Sequence, residues 1–121
     1  MSNNAIIKEE QGDYQEARAF CRHGISVGRE LNDRRTLLQL VEQWAGLNDL
    51  EGDHAGAARL MGAVEALHEA IAAPIDPLNR SGHERRVARL HANMGETDFA
   101  AAWADGRLMT LKQAIEYALS E

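Results

Sequence analysis

Gly52-Asp53-His54-Ala55-Gly56-Ala57 decides how this chain is read, because Gly12-Asp13-Tyr14-Gln15-Glu16-Ala17 stands 40 residues earlier in the same register. Gly, Asp and Ala recur identically. Further along, Phe20 and Cys21 correspond to Leu60 and Met61, Val27 to Leu67 and Leu31 to Ile71, so apolar positions recur as apolar. Such self-similarity points to a helical repeat unit. Each glycine is expected where one helix ends and the next begins, a place that often needs positive φ. Asp13 and Asp53 are then placed to cap the second helix by accepting its free amide hydrogens. Ala17 and Ala57 are small enough for the paired helices to approach closely. Each copy reads as helix, tight turn, helix.

Working outward, Leu37, Leu40, Val41, Trp44, Leu47 and Leu50 recur at helical spacing over residues 34–51, with Asn32-Asp33 as the break before them. Pro74 and Pro77, the only two prolines, fall in one short stretch that interrupts the pattern after Ile71. Asp76 followed by Pro77 is a helix-start signal, a cap and then a proline at the first helical position. The next helix, about 77–94, sets Val87, Leu90 and Met94 on one side and Arg85, Arg86 and Arg89 on the other, and Gly95 ends it. A short helix around 97–105 pairs Phe99 with Trp103 at i and i+4, suited to cover an exposed end of the core. Thr110-Leu111-Lys112-Gln113 has the form of a capping box opening a last helix that carries Leu111, Ala114, Ile115, Ala118 and Leu119 on one face.

Composition agrees with an all-α fold in one domain. The chain has 121 residues, is 45% hydrophobic, and is rich in alanine, leucine, glutamate and arginine with few β-branched residues. Its net charge of −6 and pI of about 5.3 argue against nucleic acid as the default partner. Charge is uneven, however: Arg80, Arg85, Arg86 and Arg89 cluster against only Asp76 and Glu84, either a solvated helix face or a basic patch. The lone Cys21 has no internal partner and sits among residues that suggest a buried helical site. No signal-peptide-like run and no stretch long enough to span a bilayer is present, so a cytoplasmic location is expected.

Catalytic and metal signals are thin. His68-Glu69 opens like a zinc-protease motif, but Ala72 stands where the second histidine is required. Glu65 and His68 have the Glu-x-x-His spacing of di-iron bundles without the further ligands such a site needs. Glu51-Gly52-Asp53-His54 has the same letters across a turn. Ser81-Gly82-His83-Glu84 brings a hydroxyl near an imidazole without building a triad, and helix-start chemistry explains Ser81 better. His91, beside Leu90 and Met94, is expected to be partly buried and hydrogen-bonded. There is no nucleophile elbow, phosphate loop or dinucleotide fingerprint. No enzyme activity, cofactor or metal is expected.

The segment Gln11-Gly12-Asp13-Tyr14-Gln15-Glu16-Ala17 resembles the turn and second helix of a tetratricopeptide repeat, with the tyrosine after Gly-Asp and the alanine at the family's usual places. The second copy keeps Gly52, Asp53 and Ala57 but has His54 for tyrosine, and the period of 40 exceeds the family's shorter repeat. The series from Ala57 to Leu67, then Gly95-Glu96, Phe99 to Arg107 and Leu111 to Leu119 resembles the extreme C-terminal region of large bacterial regulators. Those carry an ATP-binding switch domain followed by helical repeats, and some LuxR-type activators and cyclase-linked or kinase-linked proteins share this tail. The resemblance covers roughly residues 8–120 and implies a sensor or docking role in signal-responsive transcription. In such proteins a DNA-binding helix-turn-helix can follow. With Glu121 as the last residue, DNA reading is not expected of this chain.

The resemblance implies TPR-like hairpins, about one and a half repeats over residues 1–73, closed by a C-terminal helical cap over 74–121. It places the concave, peptide-facing positions at Ile6, Glu9 and Glu10 of the first repeat and at Gln39, Glu42, Gly46 and Asp49 of the second. Independently, the latter four form one polar stripe opposite Leu37, Val41 and Trp44. An acidic stripe of this kind is either a groove for a basic or amide-rich peptide or an ordinary solvent face. The expected partner is a protein or peptide. Because a truncated first repeat leaves apolar surface uncovered, self-association as a homodimer through that edge is expected, or else membership of a longer array. The arginine face, Arg80, Arg85, Arg86 and Arg89, is the alternative site, for nucleic acid.

Overall fold

A computed structural model describes residues 3–71, 75 and 77–120, without the side chains of residues 3–12 and 79. The side chains of Ile6, Glu9 and Glu10, and the capping residue expected at Asp76, thus lie outside the described residues. All regular structure among the described residues is helical: α1 (Asn3–Leu31), α2 (Arg34–Leu50), α3 (His54–Ala70), α4 (Pro77–Met94), α5 (Glu96–Arg107) and α6 (Leu111–Leu119).

The turns follow local chemistry closely. Between α1 and α2 the chain reverses at Asn32, which takes φ 54. Asp33 then caps α2, accepting from the Thr36 amide at 3.2 Å and from its hydroxyl at 2.7 Å. Between α2 and α3, Gly52 takes φ 94 and Asp53 accepts from the Gly56 amide at 3.0 Å, as its sequence context predicts. Gly95, at φ 84, ends α4 and leads into α5. At α6 both halves of the capping box form: the Gln113 amide donates to the Thr110 hydroxyl at 3.1 Å, and the Thr110 amide donates to the Gln113 side chain at 2.9 Å.

One expected turn does not form. Gly12-Asp13 is not a turn; α1 runs through it unbroken for 29 residues. A glycine in a helix costs only about 1 kcal/mol relative to alanine. The pair therefore permits a turn without forcing one, and the continuous backbone ladder prevails.

The core gathers Cys21 and Ile25 of α1, Leu37, Val41, Trp44 and Ala45 of α2, Ala57, Leu60, Met61 and Val64 of α3, Leu90 of α4, and Ile115 of α6. Small residues set the close crossings. Gly24 and Gly28 of α1 admit Leu40 and Leu37 of α2, whose methyls lie 2.9 Å from where a Cβ would stand. At the α3–α5 crossing, a Cβ on Gly62 would lie 2.5 Å from the Trp103 carbonyl oxygen, and one on Gly106 would be driven into the Arg59 carbonyl. Phe99 stacks on Trp103 at 5.3 Å, and both pack against the core. His91 is exposed rather than partly buried, its ring 4.8 Å from that of Phe99.

Candidate functional site

Glu42 and Asp49 lie one above the other on α2 because their spacing of seven residues is two helical turns, with Gly46 between. On α4, His83, Arg86 and Arg89 recur every three residues and make the facing row. The two rows mesh. Glu42 takes His83 Nδ1 on one carboxylate oxygen at 2.5 Å and accepts from Arg86 on the other at 3.0 Å. Asp49, whose side chain is 2% exposed, accepts from Arg89 and pairs with His54 Nδ1 at 2.8 Å. Gly46 makes room for the crossing, since a Cβ there would sit 3.3 Å from Arg86 Nε.

The acidic stripe and the basic face, candidates for two different outside partners, are thus in large part partners of one another. Glu42 and Asp49 are engaged inside the fold rather than presented as an open acidic groove; Gln39 stays exposed. Of the four arginines, Arg86 and Arg89 pair with carboxylates of α2, Arg89 staying about half exposed, while Arg80 and Arg85 are exposed. Periodicity shows that a stripe is polar but not what packs against it, which is why two faces read as solvent-facing from the sequence meet here.

His83 is the functional-type residue that spacing alone did not single out. It is buried, with Nδ1 on Glu42 and Nε2 3.6 Å from Glu65 of α3. Burial pulls its pKa down, but the hydrogen bond and charge of Glu42, with the charge of Glu65, outweigh this and hold it above the ordinary histidine value. The signal was present: extending the Val87–Leu90 stripe back one turn lands on position 83. Ser81, two residues away, is exposed. Among the described residues no group of three or more His, Cys, Asp or Glu side chains is arranged to hold a metal.

Next to this seam, Arg18 of α1 donates to Asn48 at 2.9 Å and pairs with Glu51 at 3.2 Å. Arg18 and Arg22 lie over the buried Trp44 ring at 4.8 and 5.1 Å. Burial raises the Cys21 thiol pKa despite the nearby charge of Arg18, making it a poor nucleophile.

The outer face of α1 behaves differently. Phe20, Val27 and Leu31, spaced seven and four apart, share one side of the helix and are 72%, 39% and 72% exposed. Their counterparts at the 40-residue offset are covered: Leu60 is fully buried, and Leu67 and Ile71 are half-buried. The repeat therefore has the same apolar face twice, enclosed in α3 and open in α1.

No family model matches the sequence. No solved structure matches it either. Among curated proteins, it is 30% identical over 114 residues to HTH-type transcriptional regulators of Mycobacterium tuberculosis and Mycobacterium bovis. The alignment covers 94% of this chain, which spans 13% of the length of those proteins. The chain is thus a helical domain with homology to part of proteins named as transcriptional regulators, and none of its described helices is long and apolar enough to cross a membrane.

Proposed function

We propose that this chain is a non-catalytic, TPR-like interaction module of a bacterial HTH-type transcriptional regulator, acting in the cytoplasm in signal-responsive control. The observation that carries the reading is the match itself, spread over 94% of this chain but only 13% of the regulators. A helical unit that is a small part of a large regulator fits the work of docking and spacing better than that of chemistry.

The surface we assign to this work is the outer face of α1. Repeat helices bury their apolar faces against neighbours, and Phe20, Val27 and Leu31 are left largely open to solvent. A second copy of this chain, applying the same face about a two-fold axis, is the simplest cover. Light scattering of the purified chain is expected to give a concentration-dependent dimer. Phe20→Glu with Leu31→Glu is expected to leave a folded monomer. A wild-type chain that stays monomeric at high concentration sinks the self-association claim.

Nucleic-acid binding through the arginine face is the weaker reading, since Arg86 and Arg89 of the four are already paired with carboxylates of α2. A salt-titrated assay with duplex DNA separates the two. Tight binding lost steeply with salt supports phosphate contacts.

A further inference from the structure

On the side of the molecule where α2 begins and α3 ends, a groove of about 610 Å³ opens among helices α1, α2, α3, α5 and α6. Its floor is aliphatic, with Leu37, Leu38, Leu67, Ile71, Leu111 and Ile115 along it. Its charged lining residues are all cationic. Arg29 and Arg34 enter from the end of α1 and the start of α2, and Arg107 and Lys112 from the end of α5 and the start of α6. In a chain of net charge −6, four cations with no acid among the lining residues are a marked local reversal. Arg107 is satisfied by Glu69 at 2.7 Å, and Lys112 reaches Glu116 only at 4.0 Å. Arg29 and Arg34 have no acidic partner among the described residues.

From this juxtaposition we infer that the groove binds an acidic amphipathic helix of a partner protein. Its aliphatic residues at i, i+3 and i+7 would seat on the leucine and isoleucine floor, with Asp or Glu on both flanks. Charge complementarity chooses this occupant. A ligand with one anionic head needs one cationic end, whereas here the cations come from two separate parts of the fold and suit a helix carboxylated along both edges. The site is distinct from the exposed face of α1, since none of Phe20, Val27 and Leu31 lines it. It rests on the interaction-module reading only for the kind of partner.

The test is fluorescence anisotropy with a designed, fluorescein-labelled amphipathic peptide of about 18 residues carrying Leu at i, i+3 and i+7 and Glu on both flanks. A counterpart has Lys in place of each Glu. The expected result is saturable binding of the acidic peptide, about tenfold or more tighter than the lysine peptide, and weakened by salt. Arg29→Gln with Arg34→Gln, both exposed, should weaken it about tenfold with unchanged thermal melting. Ala70→Tyr, at an exposed lining position, should block it without removing any core side chain. Equal binding of the two peptides, or an unaffected double variant, overturns the inference. So does arginine-dependent binding of dodecanoate with no binding of the acidic peptide, or dissociation of a homodimer by the peptide, which would make a second copy the occupant. The Phe20→Glu/Leu31→Glu monomer should bind the peptide normally; a wild-type chain that self-associates but does not bind the peptide removes the groove and leaves the module reading standing.

Discussion

His83 is held between carboxylates from two helices other than its own, Glu42 of α2 and Glu65 of α3. The pairing ties α4 to both only while the ring is protonated. Because the folded-state pKa lies above the ordinary value, the contribution is fully present below the unfolded pKa and is lost as pH rises through the folded one. Thermal melts of wild type and His83→Gln should therefore differ most below about pH 6.5, the ordinary histidine value, and the gap should close as pH is raised above it. A gap that stays constant across this range would mean that the ring acts by packing alone. At this scale the sequence conveyed much. Asp53 and Thr110 declared their capping roles through residue type and position, because a cap is a contact within four residues; Asp33, read only as a break, caps α2 by the same local chemistry. His83 was hidden because its partners are 41 and 18 positions away, and its own neighbours look like a helix start.

The elements themselves were predictable wherever a breaker coincides with a change of periodicity, as at Asn32-Asp33, Gly52-Asp53 and Gly95. They were not at Gly12-Asp13, where the same dipeptide is carried inside α1. Identity at an offset of 40 residues implied equal structure, but a turn forms only where the tertiary contacts reward it. Glycines at helix crossings are the complementary case: spacing cannot reveal them, and their role is steric. Gly106 and Gly62 allow α3 and α5 to approach backbone to backbone. Gly106→Ala should therefore destabilise the fold by about 1–3 kcal/mol, the usual cost of overpacking, or more if the crossing cannot relax. Gly82→Ala, in the interior of α4 with no described atom within 4 Å of the new Cβ, should stabilise by about 0.5–1 kcal/mol. Chemical denaturation of the two variants reads both. Similar effects from the two would refute the steric assignment.

Across the whole molecule the helices are joined by two kinds of contact. α3 and α5 cross through glycine and alanine at backbone distance, and α2 and α3 share the largest buried side chains, Trp44, Leu60 and Met61 among them. Burying each large aliphatic group contributes about 1.5–3 kcal/mol, and salt does not weaken it. α4 sends Leu90 fully into the core and Val87 partly, sets His91 against Phe99 of α5, and meets α2 through Arg86, Arg89 and His83 on two carboxylates. Arg89 is 52% exposed and Arg86 32% exposed, so much of this seam is open to screening by ions. The composition could supply both acids and bases, but only the fold decides that they meet. A hierarchy of opening follows, with α4 detaching before the α2–α3–α5 body unfolds. Amide hydrogen exchange should find the α4 amides less protected than those of α3 and α5. Raising salt to about 0.5 M, where the Debye length falls to a few ångströms, should accelerate α4 selectively. Replacing Glu42 with Gln should have the same selective effect without salt, because it removes the charge that both His83 and Arg86 answer. If salt and Glu42→Gln instead leave α4 exchanging in step with α3, its packing through Val87, Leu90 and His91 suffices to hold it, and the charged seam contributes orientation rather than stability.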